Sequence, residues 1–575
     1  MSVPVHLLAA GCTINPVPAQ LPVISGLCTG KATLTLPINY AALAPLLVLG
    51  GMALVVLLLS AMLPKQRYPG LWAGLTALAG VGAVIAGLVQ WHHVAGLQVQ
   101  QELTMADQLF YDQLGAFFAV LFGCATTIGA LISDSYLTRE SLDGPEPYVL
   151  MLTCSTGAVL MADAANLVSL FLGLEILSIS LYTMSAYHLR RTQSGEAGLK
   201  YFILGSFASA IFIYGVALIY GATGSTAYLQ ITIYMINTES VHNGVLLAGI
   251  GLVIVGLAFK VAAVPFHFWS PDVYQGAPTP FVGYMAAVAK AAGFVGLVRV
   301  LMQAVHLNAA DWRPIIWGLA VASVLVGSVL AIVQVDLKRL LAYSSVSQAG
   351  YVLIALVPGT TNGVTSVCFY LFTYTFMVMG TFAVVGVVQG RGEARNDLSS
   401  IRGLATRNPW LAAAMLVLLL GQAGIPLTSG FLGKWVVIGA AIQQGQYILA
   451  LIGMLGAAIA AFAYLRVALL MYMPPVAGPA VGTGAAGVAA AASIGAGAGG
   501  LGQPDDEESD LAVIATSGLT GRDTAIALRL PSTARLRVPP AVGAVLAICV
   551  AFTLFAGLST PVLSFAHSIT LPWSL

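Results

Sequence analysis

The chain has 575 residues, 58% of them hydrophobic and only 8% charged, with a mean hydropathy of +0.91. A water-soluble chain carries about 25% charged residues, so water is not the main solvent here. The formal net charge of +1 gives no global field to attract nucleic acid.

A helix needs about 20 mostly apolar residues to cross about 30 Å of hydrocarbon. That window predicts fourteen spans, at 42–63, 70–91, 114–134, 147–163, 165–188, 199–221, 244–268, 278–306, 312–334, 339–357, 363–389, 409–441, 445–473 and 540–566. The runs are long and continuous, without the ten-residue alternation of an outer-membrane barrel. The fold class expected is therefore an all-α polytopic membrane protein. With the N-terminus outside, 16 of the 23 basic residues fall on the cytoplasmic side, only Lys31 and Arg313 outside, and five within spans. Such a split is what the positive-inside rule requires of a correct count.

Before the first span, residues 1–41 form an extracytoplasmic segment without the basic start and apolar core of a cleaved signal peptide. Cys12 and Cys28 lie in it and can pair if that side is oxidising. The six cysteines show no C-x-x-C and no spacing suited to zinc or iron–sulfur ligation. Between the last two spans, residues 474–538 run from Pro474 and Pro475 through Ala/Gly-rich low complexity into an acidic run. A segment of that composition buries too little apolar surface to fold, which predicts a disordered cytoplasmic loop.

Four ionisable side chains sit among apolar neighbours inside spans: Glu175 in span five, Lys260 in seven, Lys290 in eight and Lys434 in twelve. Each such charge costs about 2.5–3.5 kcal/mol at the bilayer centre, so chains keep them only when paired or used. A Glu–Lys pair that merely locks two helices is the structural reading. Three lysines against one obvious carboxylate leave at least one deprotonated, hydrated or changing partners, which is what a proton relay requires. For Arg299 and Arg466, near span ends, snorkelling to the interface suffices. Lys200 opens span six on the cytoplasmic side, where a basic residue is expected in any case.

Span seven carries Pro265 just after Lys260, and span twelve carries Pro426 just before Lys434. Proline removes a backbone donor and clashes with the preceding turn, so both helices should break. Interrupted helices at corresponding places in two halves point to an ion path. His267, seven residues beyond Lys260, is either a hydrogen-bonded core residue or a proton shuttle.

The stretch FKVAAVPFHFWSPDVYQGAPTPFVGYMAAVAKAAGF (259–294) resembles the signature of subunit N of bacterial NADH–quinone oxidoreductase, respiratory complex I. DLKRLLAYSSVSQAGYVL (336–353), FLGLEILSISLY (171–182) and GIPLTSGFLGKW (424–435) are similar to the same family. Larger antiporter-like relatives carry a leucine-proline-aspartate element where this chain has Ser270, Pro271, Asp272 and Val273. The resemblance runs from about residue 40 to 473 and resumes in the last span; the first 40 residues and the long loop lie outside it.

It implies fourteen helices with two inverted five-helix repeats: three helices over 42–134, a first repeat over 147–306, a second over 312–473, and a last helix over 540–566. By position it makes Glu175 the partner of Lys260, Lys290 the central carrier and Lys434 the terminal one, with Lys200 and His267 as auxiliary sites on the axis. No cofactor is implied on this chain. FMN, iron–sulfur clusters and quinone would belong to the other membrane and peripheral subunits, in a bacterial inner membrane. The rival readings are a subunit of a multisubunit cation/proton antiporter, a free-standing solute transporter, and a scaffold whose charges only fix packing.

Overall fold

A computed structural model describes residues 39–63, 70–96, 101–105, 108–238, 243–393, 395–474, 536–558, 561–567 and 569. The expectations for the N-terminal segment, for Cys12 and Cys28, and for nearly all of the 474–538 loop lie outside the described residues.

The elements follow in order: α1 (Tyr40–Met62), α2 (Leu71–Ala95), a hairpin of β1 (Gln101–Thr104) and β2 (Leu109–Asp112), α3 (Gln113–Arg139), α4 (Glu146–Asp163), α5 (Leu167–Ser185) and α6 (Thr192–Thr223). Then come α7 (Tyr228–Thr238), α8 (Gly244–Lys260), α9 (Trp269–Gly276), α10 (Thr279–Arg299), α11 (Ala309–Val333), α12 (Leu337–Leu356) and α13 (Thr361–Gln389). The last are α14 (Leu404–Arg407), α15 (Pro409–Ala423), α16 (Ser429–Gln443), α17 (Tyr447–Tyr472), α18 (Pro540–Leu558) and α19 (Pro561–His567). Helices overlap each of the fourteen expected intervals. Among the described residues, ten helices are long and apolar enough to cross a membrane, and α8 and α15 are apolar but shorter.

Local chemistry sets many of the starts. Asn39, Asp112, Asn166, Asn243, Asp336, Thr360, Asn408 and Thr428 each accept a hydrogen bond from a backbone N–H of the helix they open, satisfying donors that a helix leaves free at its N-terminus. The stops are equally local. Pro265 forbids the α8 helix from continuing past residue 261, because its ring would strike that carbonyl. The helix ends at Lys260, with Ala262 in the left-handed region at φ 58°. Around Pro426, α15 ends at Ala423, Gly424 takes the left-handed cap at φ 84°, and Leu427 is left-handed at φ 74°. Both breaks thus hold a non-glycine residue in a costly conformation, as functional sites often do.

Three details depart from expectation. Span seven is not helical to residue 268 but stops at Lys260 and resumes as α9. Span six begins at Thr192, so Lys200 lies in its third turn rather than at its start. The β1–β2 hairpin and α7 were not foreseen; both are short elements between spans, with the hairpin register running Gln101↔Asp112 to Thr104↔Leu109.

The core sits on α3, α10 and α13. The membrane-length window of α10 is 100% buried, against 28% for α1. Peripheral helices turn side chains such as Leu58, Leu78, Phe207 and Phe462 outward, the faces a bilayer covers. The helix that carries Lys290 is therefore fully encased in protein.

Candidate functional site

Lys260, the last residue of α8, is 2% exposed. Its Nζ donates to Ser178 Oγ at 2.8 Å and lies 5.8 and 5.6 Å from the ring centres of Tyr182 and Tyr201. Glu175 lies one turn before Ser178 on α5. It is half-buried, and its carboxylate accepts from Ser209 Oγ on α6. No ion pair joins Glu175 to Lys260; Ser178 occupies the lysine instead. The pairing that the resemblance implied is thus an approach within one helical turn, without contact.

Lys290, at the middle of α10, is also 2% exposed, and its Nζ donates to the carbonyl oxygen of Ser345 on α12. Ser345 Oγ is 2.8 Å from Tyr374 Oη and 3.4 Å from Tyr274 Oη. One turn on, Gln348 donates to the Gln422 carbonyl at 3.1 Å and to Tyr464 Oη at 2.8 Å, and accepts from Tyr370 Oη. Lys434 donates to that same Gln422 carbonyl at 3.0 Å and to Ala423 O at 2.7 Å, 5.0 Å from the Tyr351 ring centre. These carbonyls end α15, where the break strips them of helical partners and the helix dipole is negative. The interruption is what makes a cradle for an ammonium group.

His267 lies in the break between α8 and α9, 8% exposed. Its ring is 6.3 Å from that of Tyr343 on α12, centre to centre, next along the chain to Ser344 and Ser345. Lys200 is not on this buried line. It is 44% exposed and bridges Glu196 at 2.6 Å and Asp272 at 3.0 Å. Asp272 also accepts from Arg339 at 2.7 Å. All four line an open cavity of about 630 Å³ with Gln275 and Glu393.

Two clusters escaped the sequence reading. Arg299 does not snorkel: it is fully buried and grips Asp112 through two bonds, of 2.5 and 2.7 Å, with a third to Ala162 O at 2.7 Å. Asp112 is brought there because it caps α3 beside the C-terminal ends of α4 and α10. Lys338, one of the basic residues counted on the cytoplasmic side, has a wholly buried side chain that pairs with Glu393 at 2.9 Å. Glu393 takes Arg191 at 2.7 Å as well. Burial would raise the Glu393 carboxyl, but the charges of Lys338 and Arg191 outweigh it and hold the group at about 2. Neither carboxylate stands inside an apolar run, so composition alone did not mark them. Arg466 donates to Ile332 O at 2.8 Å near the end of α11.

Residues 164–460 match the family described as NADH:quinone oxidoreductase/Mrp antiporter, TM. The chain is 40% identical over 438 residues to NADH-quinone oxidoreductase subunit N of Trichlorobacter lovleyi, covering 76% of this chain and 88% of that one. It is 38% identical to the subunit N of Saccharopolyspora erythraea, covering 77% and 91%. Among solved structures it is similar to a chain of respiratory complex I from Thermus thermophilus, with TM-score 0.63, 32% identity and coverage of 75% and 90%. A chain of the Mrp complex from Dietzia shares the fold, with TM-score 0.73, 20% identity and coverage of 92% and 97%. With the buried lysines and both helix breaks in place, the chain belongs to the NADH-quinone oxidoreductase subunit N family of complex I membrane subunits.

Proposed function

We propose that this chain carries protons across the membrane as the subunit N of a proton-translocating NADH:quinone oxidoreductase, using Lys260, Lys290 and Lys434 as carriers. The observation that carries the reading is the shared Gln422 carbonyl. It joins Lys434 to Gln348, one turn from the Ser345 carbonyl that receives Lys290. Hydrogen-bonded groups at that spacing are what a relay through an otherwise apolar core needs.

Glu175 biases Lys260 through its charge, with Ser178 between them. A proton leaving Lys260 passes by water and His267 to Lys290, and from there to Lys434. Lys200 serves the open cavity rather than the core. Residues 147–306 and 312–473 act as two inverted repeats, each with one broken helix, and 42–134 and 540–566 complete the bundle. NADH oxidation, FMN, the iron–sulfur clusters and quinone belong to partner subunits in a bacterial inner membrane, with the N-terminus of this chain extracytoplasmic. Each charge moved against 100 mV requires about 2.3 kcal/mol, which the partners' redox chemistry supplies.

The test is Lys260→Ala in the assembled complex, reconstituted in vesicles. Proton transfer per NADH oxidised should fall; wild-type transfer would overturn the relay. Purification of the tagged chain in mild detergent should bring NADH-dehydrogenase and iron–sulfur subunits with it. Antiporter subunits without redox partners would replace this reading with cation/proton exchange.

A further inference from the structure

Glu393 stands outside every span, yet its side chain is wholly buried. The chain inserts it by a tight coil: Gly390, Gly392 and Glu393 are all left-handed, with φ 69°, 68° and 50°. Glycine adopts this freely and glutamate does not, so the side-chain contacts must hold the backbone there. Those contacts are numerous. Glu393 accepts from Tyr136 Oη at 2.8 Å, from Arg191 at 2.7 Å and from Lys338 at 2.9 Å. It also accepts from both the backbone N–H and the hydroxyl of Thr279, at 2.8 and 2.9 Å.

Three of these partners stand at helix starts, with Arg191 just before α6 and the other two in α10 and α12. Thr279 is the first residue of α10, whose flanking Pro278 supplies no side-chain cap, so Glu393 caps that helix from another part of the chain. Lys338 is the second residue of α12 and also donates to Ala277 O, just before α10, at 2.6 Å. One carboxylate therefore ties together the starts of α10 and α12.

We infer that Glu393 is a positioning residue that sets the register of the Lys290 ammonium against its acceptor, the Ser345 carbonyl. Along α10, Lys290 lies eleven residues beyond Thr279, about 16 Å of rise, and along α12, Ser345 lies seven residues beyond Lys338, about 10 Å. Lys290 and Lys338 both reach their acceptors through long side chains, so the levels of Lys290 and Ser345 follow from where the two helices start. Because both helices start from the same clamp, it fixes how far along each helix the two partners stand. A slip of one residue at either start displaces the pair by about 1.5 Å, enough to part them. Burial of the Glu393 and Lys338 side chains fixes the clamp further, while Arg191 reaches it from the rim of the open cavity.

This inference rests on the reading of Lys290 as a proton carrier, and the experiment separates the two. The complete complex is prepared with Glu393→Gln, Glu393→Asp, Thr279→Val and Lys290→Met, and protons transferred per NADH oxidised are measured in vesicles. Poor assembly lowers NADH oxidation and proton transfer together, so their ratio reports positioning rather than folding. The ratio should fall several-fold in Glu393→Gln and recover in part in Glu393→Asp, which keeps the charge. Thr279→Val, which removes a hydroxyl shared between Glu393 and Gln389 and keeps the backbone bond, should lower it less. A wild-type ratio in assembled Glu393→Gln overturns the inference. If that variant does not assemble, wild-type ratios in both Glu393→Asp and Thr279→Val overturn it. A wild-type ratio in Lys290→Met sinks the carrier reading itself.

Discussion

Lys434 and Gln348 meet on one oxygen: the Gln422 carbonyl accepts from both, at 3.0 and 3.1 Å. The lysine belongs to the helix after the break, the carbonyl to the helix before it, and the glutamine to the helix that receives Lys290. Gln348→Leu removes this link while leaving Lys434 its own two carbonyls. Proton transfer is expected to slow by on the order of tenfold rather than stop. A water molecule can replace a side-chain bridge at a cost of up to about 2 kcal/mol, and a factor of ten is about 1.4 kcal/mol. Vesicle proton uptake checks it; an unchanged rate would remove Gln348 from the path.

Ser178 stands where the expected Glu175–Lys260 contact would be. If the carboxylate acts on the lysine across this serine, the effects of Glu175→Gln and Ser178→Ala should not add. Residues in one network show coupling of about 0.5–3 kcal/mol, whereas independent sites add within about 0.5. The double-mutant cycle is read on the rate of proton transfer at equal assembly. Additive losses would mean that Glu175 and Ser178 act separately, and Ser178 alone would then remain as the group that holds Lys260.

The Arg299–Asp112 pair is structural, and its loss should appear as instability rather than as slow transport. Removing one member of a buried pair costs about 3–5 kcal/mol because the other charge is left unpaired. Arg299→Leu should be worse than Asp112→Asn. The arginine has a second carboxylate, Asp163, beside Asp112, both facing the backbone of Gly115, so Asp112→Asn leaves it an alternative partner. Arg299→Leu instead leaves two carboxylates without a cation. Thermal denaturation of the purified complex ranks the two; equal stability would show that Asp163 gives no help.

The membrane fold was readable because apolar length and the asymmetry of basic residues are properties of the chain itself. The buried lysines were readable for the same reason, since each interrupts an apolar run. Pro265 and Pro426 mark the breaks in the sequence, although only the folded chain shows that α8 stops at Lys260 itself. What stayed hidden are groups whose role depends on distant partners. Glu393 and Lys338 sit in polar surroundings along the chain and become buried only when α3, α6, α10 and α12 converge on them. Gln348 and the Gln422 carbonyl carry no charge and leave no mark in composition. From its place near a span end Arg299 reads as a snorkelling residue, because Asp112 lies 187 positions away.

Glu393 also makes a statement about pH. Its carboxyl is held at about 2 in the folded chain, against an ordinary value of 4.5, chiefly by Lys338 and Arg191 acting against burial. A carboxyl depressed on folding contributes stability that is fully present above its unfolded value and is lost as pH falls through its folded value. The clamp should therefore be insensitive to pH across the neutral range and weaken only between 4.5 and about 2. The measurement is the stability of the wild-type complex minus that of Glu393→Gln, followed by thermal denaturation as the solution is acidified. The difference should stay flat above 4.5 and shrink below it. A difference that already shrinks near neutral pH would mean that Glu393 takes up a proton in the working range. The group would then be a proton carrier rather than a fixed anion, and the fixed clamp between α10 and α12 would have to be abandoned.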